Sequence, residues 1–274
     1  MNLPDPNLPP LLPVPEAPCP PAGPRPPWGF WSTLGLGLIA MGVMIAAQAA
    51  VGIVFGVVLM VRQQVQHGPA MAAAELSSNL ASNPLMLALA VFVSVPAVIL
   101  AVWAMVRLRR GPTLGDYLGL RGFSLRQFLI WGGALVVVLG GGGWLVTWLG
   151  DESGSKFILP LLAQGHSIPL LVAALIVGAP LVEEGLFRGF MYRGMSTARW
   201  APLGAILVPN ILWALLHVQY RWPTIAMLFS MGLVLGAARH FSRSTVLPFT
   251  LHLLSNSASV CIAFAMLQPA APAP

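Results

Sequence analysis

The sequence predicts an all-α protein, a polytopic bundle of about seven transmembrane helices with eight as the alternative count. Hydrophobic residues make up 57% of the chain and charged residues only 8%, whereas ordinary soluble domains contain about 25% charged residues. Apolar runs of about 20 residues recur along the chain, and each is long enough to cross a hydrocarbon core of about 30 Å as a helix. Short segments of alternating hydrophobicity, which would predict a transmembrane barrel, do not occur.

The predicted spans follow from the positions of these apolar runs and from the basic loops between them. The loop between Arg107 and Arg126 is the most basic in the chain, and the positive-inside rule assigns it to the cytoplasm. The loop that contains Asp151 and Glu152 then lies outside, and the N-terminus is cytoplasmic. An eighth span would need a further helix within the first run or within the polar loop at 61–83. The predicted spans are 31–60, 84–106, 128–149, 167–193, 202–218, 224–238 and 245–267.

Three regions are predicted along the chain. Residues 1–27 are dense in proline, which prevents helix and strand formation, so this segment is expected to be a disordered tail. Residues 28–110 are assigned to N-terminal transmembrane helices and residues 111–268 to a transmembrane core. Cys19 lies in the tail and Cys261 in the last span, so neither a disulfide framework nor a cysteine-rich metal site is expected.

Composition also narrows the range of partners. The net charge of +6 comes mainly from arginines between the apolar runs, where arginine sets orientation and attracts anionic lipid headgroups. The expected partners are therefore membrane lipid and a membrane-associated protein or peptide, and nucleic acid is not expected. The expected location is the cell membrane, as a multi-pass protein. The sequence carries no prediction of the oligomeric state.

Charged residues interrupt the fourth span, where residues 181–190 read L-V-E-E-G-L-F-R-G-F. A charged residue at the centre of a span costs roughly 2.5–3.5 kcal/mol, so three of them must be paired or hydrated. Glu184 and Arg188 are four residues apart, which places them on one helix face and predicts an ion pair. Glu183 is rotated by about 100° from Glu184, so its carboxylate is free to act elsewhere.

The fifth and seventh spans carry further polar residues at helical spacing. Trp213 and His217 are four residues apart, as are His252 and Asn256, so each pair shares a helix face. Counted at about 1.5 Å per residue from the basic residues at the cytoplasmic ends, these groups lie at a depth similar to that of Glu183. A carboxylate, two imidazoles and an amide in one layer could activate water and stabilise an oxyanion.

Three motifs in this order resemble those of a known family. E-E-G-L-F-R at 183–188, W-A-L-L-H at 213–217 and H-L-L-S-N at 252–256 are similar to the EExxxR, FxxxH and HxxxN motifs of the CPBP family. This family comprises the CAAX prenyl endopeptidases of the Ras-converting-enzyme type and bacterial relatives, some of them linked to bacteriocin self-immunity. The resemblance covers the chain from about Gly111 to the end of the last span. Trp213 replaces the usual phenylalanine, and its bulkier ring is expected to reshape the substrate groove.

The resemblance implies an intramembrane endopeptidase whose cavity opens to the cytoplasm. Six residues match the functional positions of the family: Glu183, Glu184, Arg188, His217, His252 and Asn256. By this carry-over, Glu183 and His217 would activate the attacking water, and His252 and Asn256 would bind the oxyanion. The remaining glutamate and arginine would orient the helix and the substrate.

The resemblance leaves the cofactor open. Glu183, His217 and His252 could hold a divalent metal such as zinc, with a fourth position left for water, which is the pattern of catalytic zinc sites. The H-E-x-x-H helix of soluble zinc proteases is absent from the sequence. A glutamate mechanism without metal uses the same residues, and we expect no obligatory metal.

Two other functions are compatible with the same residues. One is a non-enzymatic immunity or scaffold protein that keeps the fold without turnover. The other is a proton-coupled transporter in which Glu183, His217 and His252 relay protons, although the E-E-x-x-x-R pattern occurs once and many transporter folds are built on repeats. A G-x-S-x-G serine motif does not occur, and the aspartates lie outside the predicted spans, so serine and aspartyl intramembrane proteases are not expected.

Overall fold

The computed structural model describes residues 27–66, 71–109 and 112–267, and these residues form helices and no β-strand. The predicted all-α bundle is therefore confirmed. Residues 1–26, which make up most of the predicted proline-rich tail, lie outside the described residues. The helices in chain order are α1 Phe30–Val65, α2 Ala73–Ala81, α3 Pro84–Leu108, α4 Leu114–Leu118, α5 Leu125–Trp148, α6 Ser153–Ala163, α7 Ile168–Met195, α8 Leu203–Leu215, α9 Trp222–Ser242 and α10 Val246–Leu267.

Six helices in the described part of the chain are long and apolar enough to cross a membrane, namely α1, α3, α5, α7, α9 and α10. They correspond to six of the seven predicted spans, and the protein is a multi-pass membrane protein. The predicted fifth span is the shorter apolar helix α8, whose 13 residues extend about 20 Å. This helix is shorter than predicted because it begins only after Pro202 and the chain turns at Leu216.

The region predicted as a polar loop at 61–83 is largely helical, so that prediction is wrong in part. Helix α1 continues through Val65, and α2 occupies Ala73–Ala81. Nine residues rise only about 14 Å, so α2 is too short to be the alternative eighth span. Helix α3 begins where Asn83 caps the N–H of Met86 and Pro84 occupies the first helical turn.

Helix α7 lies at the centre of the bundle and carries the charged stretch. Residues 186–191 are all buried, and helices α1, α3, α8 and α10 pack around α7. Close approach to α1 depends on Gly194, since a Cβ atom there would lie 1.9 Å from the Thr33 hydroxyl. Two segments of α7, Ala174–Gly178 and Glu184–Met191, have π-helical hydrogen bonds. Such segments are rare and often mark functional sites.

The loop between α5 and α6 is tied to the start of α9 by a buried aspartate. Asp151 accepts hydrogen bonds from the Ser153 N–H at 2.9 Å and from the N–H and hydroxyl of Thr224 at 3.1 and 2.8 Å. The Ser153 hydroxyl oxygen accepts from the N–H of Arg221 at 3.0 Å. Because Thr224 is in the first turn of α9, these bonds cap that helix and fix the turn that follows α8.

We expect Asp151→Asn to lower the unfolding temperature by a few degrees above pH 5. We also expect the unfolding temperature of this variant to fall less than that of wild type when the pH is lowered. Burial alone raises the pKa of Asp151, but hydrogen bonds from Ser153 and Thr224 outweigh burial and lower the pKa to about 2 from its ordinary 3.8. The charged carboxylate therefore stabilises the fold fully above about pH 4, and this contribution disappears as the pH falls towards 2.

Thermal unfolding of the full chain in detergent, measured at about pH 5 and about pH 3, tests this expectation. The difference in unfolding temperature between wild type and Asp151→Asn should be smaller at the lower pH. Glu152→Gln is the matched control, because the Glu152 side chain is 68% exposed and pairs with Lys156 at the surface. A difference in unfolding temperature that stays constant between these two pH values would contradict the stabilising role of the charged Asp151 carboxylate.

Candidate active site

Glu184 and Arg188 form the predicted ion pair, which is almost completely buried. The Arg188 Nη1 atom donates to Glu184 Oε1 at 3.1 Å, and the exposed fractions of the two side chains are 3% and 1%. Nη2 of the same guanidinium donates to the carbonyl oxygen of Gly232 at 3.3 Å and to Asn210 Oδ1 at 3.5 Å. The guanidinium also lies 4.8 Å from the centre of the Trp213 ring. The charge of Arg188 is therefore neutralised and hydrogen-bonded inside the bundle.

Gly232 allows α8 and α9 to approach each other beside this pair. A Cβ atom at position 232 would lie 1.7 Å from Asn210 Oδ1 and 3.0 Å from Arg188 Nη2. The Asn210 amide nitrogen donates to the carbonyl oxygen of Phe229 at 2.9 Å, which joins the same two helices. Position 232 therefore needs glycine for packing around the arginine.

Glu183 points away from the ion pair and towards α8. The indole N–H of Trp213 donates to Glu183 Oε2 at 2.5 Å, and the Glu183 side chain is 17% exposed. The carbonyl oxygen of Trp213 accepts from His217 Nδ1 at 3.0 Å. A carbonyl oxygen only accepts, so Nδ1 carries a proton, and in the tautomer with a single ring proton Nε2 is the acceptor.

His252 lies between the two glutamates. Its Nδ1 atom is 2.9 Å from Glu184 Oε1, and its Nε2 atom is 4.0 Å from Glu183 Oε2. Because an ionised carboxylate only accepts, Nδ1 is the donor to Glu184. Two polar atoms 4.0 Å apart can both contact one water molecule at ordinary hydrogen-bond distance. His252 therefore joins the buried ion pair to the partly exposed carboxylate.

Asn256 forms a hydrogen bond to α7 instead of to another predicted site residue. Its amide nitrogen donates to the carbonyl oxygen of Leu175 at 2.8 Å. Leu175 lies in the first π segment. In such a segment a backbone N–H donates to the carbonyl oxygen five residues earlier, as the N–H of Ala179 does to the carbonyl oxygen of Ala174. The residue five positions after Leu175 is Pro180, which has no N–H to donate. The amide of Asn256 therefore supplies the hydrogen bond to the carbonyl oxygen of Leu175. One of its two amide protons remains for another partner.

The residues proposed for a metal do not form a ligand set in this arrangement. Their donor types suit zinc, but ligands at about 2.0–2.2 Å require all three side chains to converge on one point. Within the described ranges, no group of three His, Cys, Asp or Glu side chains is placed to hold a metal ion.

The structure brings Glu183, Glu184, Arg188 and His252 into one cluster, with His217 joined to it through Trp213. The edge of the His217 ring contacts Trp213, with ring centres 4.9 Å apart. The Trp213 side chain, which is predicted to reshape the substrate groove, is fully buried.

Tyr220 is a neighbour of the site that sequence reasoning missed. Its ring lies nearly parallel to that of His217, with centres 6.1 Å apart. Burial raises the pKa of Tyr220, the Gln219 side chain lowers it by less, and the charge of Glu183 raises it further. Tyr220 is three residues after His217, and this proximity in sequence was the available signal.

Together, the helices and this cluster define a class: a multi-pass α-helical membrane protein with a buried carboxylate–arginine–imidazole site formed by α7, α8 and α10. Residues 165–258 match the family model described as Rce1-like, type II CAAX prenyl endopeptidase Rce1-like. The matched segment, which is thus similar to that family, covers about a third of the chain and contains all six predicted site residues.

A curated relative extends this comparison. An uncharacterised 24.3 kDa protein of Escherichia coli is 37% identical over 102 residues, which are 35% of this chain and 46% of that protein. The chain thus spans less than half of the length of this relative. No solved structure is significantly similar to the chain.

Proposed function

We propose that this chain is an intramembrane endopeptidase of the CAAX prenyl protease type. The observation that carries the proposal is the position of the Glu183 carboxylate, partly exposed and 4.0 Å from His252 Nε2, within the Rce1-like segment. A partly exposed carboxylate near an imidazole can accept a proton from a bound water. Ionisable residues at such depth are costly and are usually functional.

The proposed reaction is hydrolysis of a peptide bond. A water beside Glu183 and His217 gives one proton to Glu183, and its oxygen bonds to the carbonyl carbon of the substrate. The tetrahedral intermediate then collapses, the C–N bond breaks, and Glu183 returns the proton to the leaving amine. The Nε2 lone pair of His217 holds the second hydrogen of the water and so orients the attack.

The remaining site residues stabilise charge in this scheme. His252, protonated on both ring nitrogens with Nδ1–H donated to Glu184 and Nε2–H turned to the substrate, and the second amide proton of Asn256 would stabilise the oxyanion of the intermediate. Arg188 keeps Glu184 charged without direct contact with the reacting atoms, since both side chains are buried. This division gives each member of the cluster a different task.

The proposed substrate is a membrane-associated protein or peptide, cleaved near the membrane surface. The family model supports a peptide substrate, and the six long apolar helices support its delivery within or beside the bilayer. We assign the arginine-rich ends of α3, α7 and α9 to the cytoplasm, together with the N-terminus, and this assignment gives the orientation of the protein in the membrane.

The test compares membranes that contain wild type, Glu183→Ala or His217→Ala by proteomic mapping of new peptide termini. A cleavage product present with wild type and absent with both variants supports the proposal. Identical peptide patterns in all three samples would overturn it. Chelator treatment of the purified wild type forms a separate arm, in which we expect the cleavage rate to be unchanged.

A further inference from the structure

Trp213 contacts four charged or titratable groups of the site, Glu183, Arg188, His217 and His252, although it has no charge itself. Its indole N–H donates to Glu183 at 2.5 Å, and its carbonyl oxygen accepts from His217 at 3.0 Å. Its ring lies 4.8 Å from the guanidinium carbon of Arg188 and meets the His252 ring edge-on, with centres 5.7 Å apart. The side chain is fully buried, so these contacts cannot be exchanged for water.

We propose that Trp213 is a positioning residue that fixes one oxygen of the Glu183 carboxylate and so presents the other oxygen to the attacking water. The inference rests on the proposed function and assigns a residue in addition to the six matched positions. Among the described residues, Glu183 Oε1 has no hydrogen-bond partner, whereas Oε2 is held by the indole. The carboxylate is thereby prevented from rotating about its last side-chain bond.

The phenylalanine that is usual at this position could not hold the carboxylate in this way, because a phenyl ring has no N–H group. Its ring would still fill most of the buried space and still contact the guanidinium. The backbone carbonyl that holds His217 would also be unchanged. Trp213→Phe is therefore a narrow change that removes the hydrogen bond to Glu183 and leaves the other polar contacts in place.

The first test needs no substrate. The full chain is labelled with ¹⁵N-tryptophan in detergent micelles, and the indole N–H signal of Trp213 is identified by its absence in Trp213→Phe. We expect this signal to move in Glu183→Gln, because the acceptor changes from an ionised carboxylate to a neutral amide. Glu152→Gln is the control, since Glu152 is an exposed surface residue. A Trp213 signal that is unchanged in Glu183→Gln overturns the inference.

The second test measures cleavage of the product identified by terminal mapping. We expect Trp213→Phe to lower kcat by about 10- to 100-fold with little change in KM, because a misplaced catalytic group slows the reaction more than it weakens binding. Replacement of Trp213 by β-(3-benzothienyl)alanine, which keeps the bicyclic ring and lacks the N–H, should give the same loss. Trp148→Phe is the control, since Trp148 is exposed.

The two failures are distinguishable. If Glu183→Ala leaves cleavage unchanged, the proposed function is wrong. If Glu183→Ala abolishes cleavage while the benzothienyl variant cleaves at the wild-type rate, the proposed function stands and the role of the indole N–H is wrong. A loss with phenylalanine and none with the benzothienyl ring would show that Trp213 acts through its shape, which also overturns the inference.

Discussion

Replacing Glu183 with glutamine should lower the rate of peptide-bond cleavage by a factor on the order of 10²–10⁴, which is the usual contribution of a general base. The amide is nearly the same size as the carboxylate, and its oxygen can still accept from the indole of Trp213. The amide cannot take a proton from water at neutral pH. The loss should therefore appear in kcat, with the fold retained, in assays of purified full-length chain in detergent or liposomes.

Two further variants separate chemistry from folding. Glu183→Asp keeps the charge but withdraws the carboxylate from His252 and Trp213 by about one carbon–carbon bond, so we expect an intermediate rate. Glu152→Gln removes one negative charge at the surface and should cleave like wild type. Equal rates for wild type and Glu183→Gln would exclude Glu183 as the base, provided that thermal unfolding of the two proteins coincides.

The membrane-spanning character and the ion pair could be predicted because both depend on local sequence spacing. Apolar runs predict spans wherever they are long enough, and six of the seven predicted spans are long helices in the structure. The pairing of Glu184 with Arg188 needs only that the two residues share a helix face. They still share a face in the π segment, where the ion pair forms. Neither prediction required knowledge of how distant helices pack.

The features that could not be predicted depend on contacts between helices. The π segments of α7 have the same hydrophobic pattern as an ordinary helix, so this pattern does not reveal them. Pro180, which lacks an N–H, is the one local signal that a carbonyl group of α7 needs a partner from elsewhere. The partner of Asn256 is that carbonyl, on Leu175, 81 residues earlier in the chain. The bond from Trp213 to Glu183 likewise depends on the rotation of α8 against α7, which residue spacing within one helix does not determine.

Arg188→Met should be the most destabilising single substitution in the site, with a loss of about 3–5 kcal/mol in the free energy of unfolding. Methionine fills much of the arginine volume but leaves the Glu184 carboxylate, which is 1% exposed, without its cationic partner and with His252 as its remaining hydrogen-bond donor among the described residues. It also removes the donor to the Gly232 carbonyl oxygen. Unfolding of the full chain in mixed detergent micelles, followed by circular dichroism, measures this loss.

The double variant Glu184→Gln with Arg188→Met separates charge from packing. If the loss in Arg188→Met arises mainly from an unpaired buried charge, removing the charge of Glu184 as well should recover at least half of it, because buried ion pairs can be replaced by neutral groups at little net cost. The glutamine oxygen can still accept from His252 Nδ1, so that contact is kept. If the double variant is as unstable as Arg188→Met, the arginine stabilises the bundle through its contacts with Gly232 and Trp213, and the ion pair itself contributes little. The comparison therefore decides whether Glu184 needs Arg188 in order to remain charged inside the bundle, which is the condition under which it can orient His252.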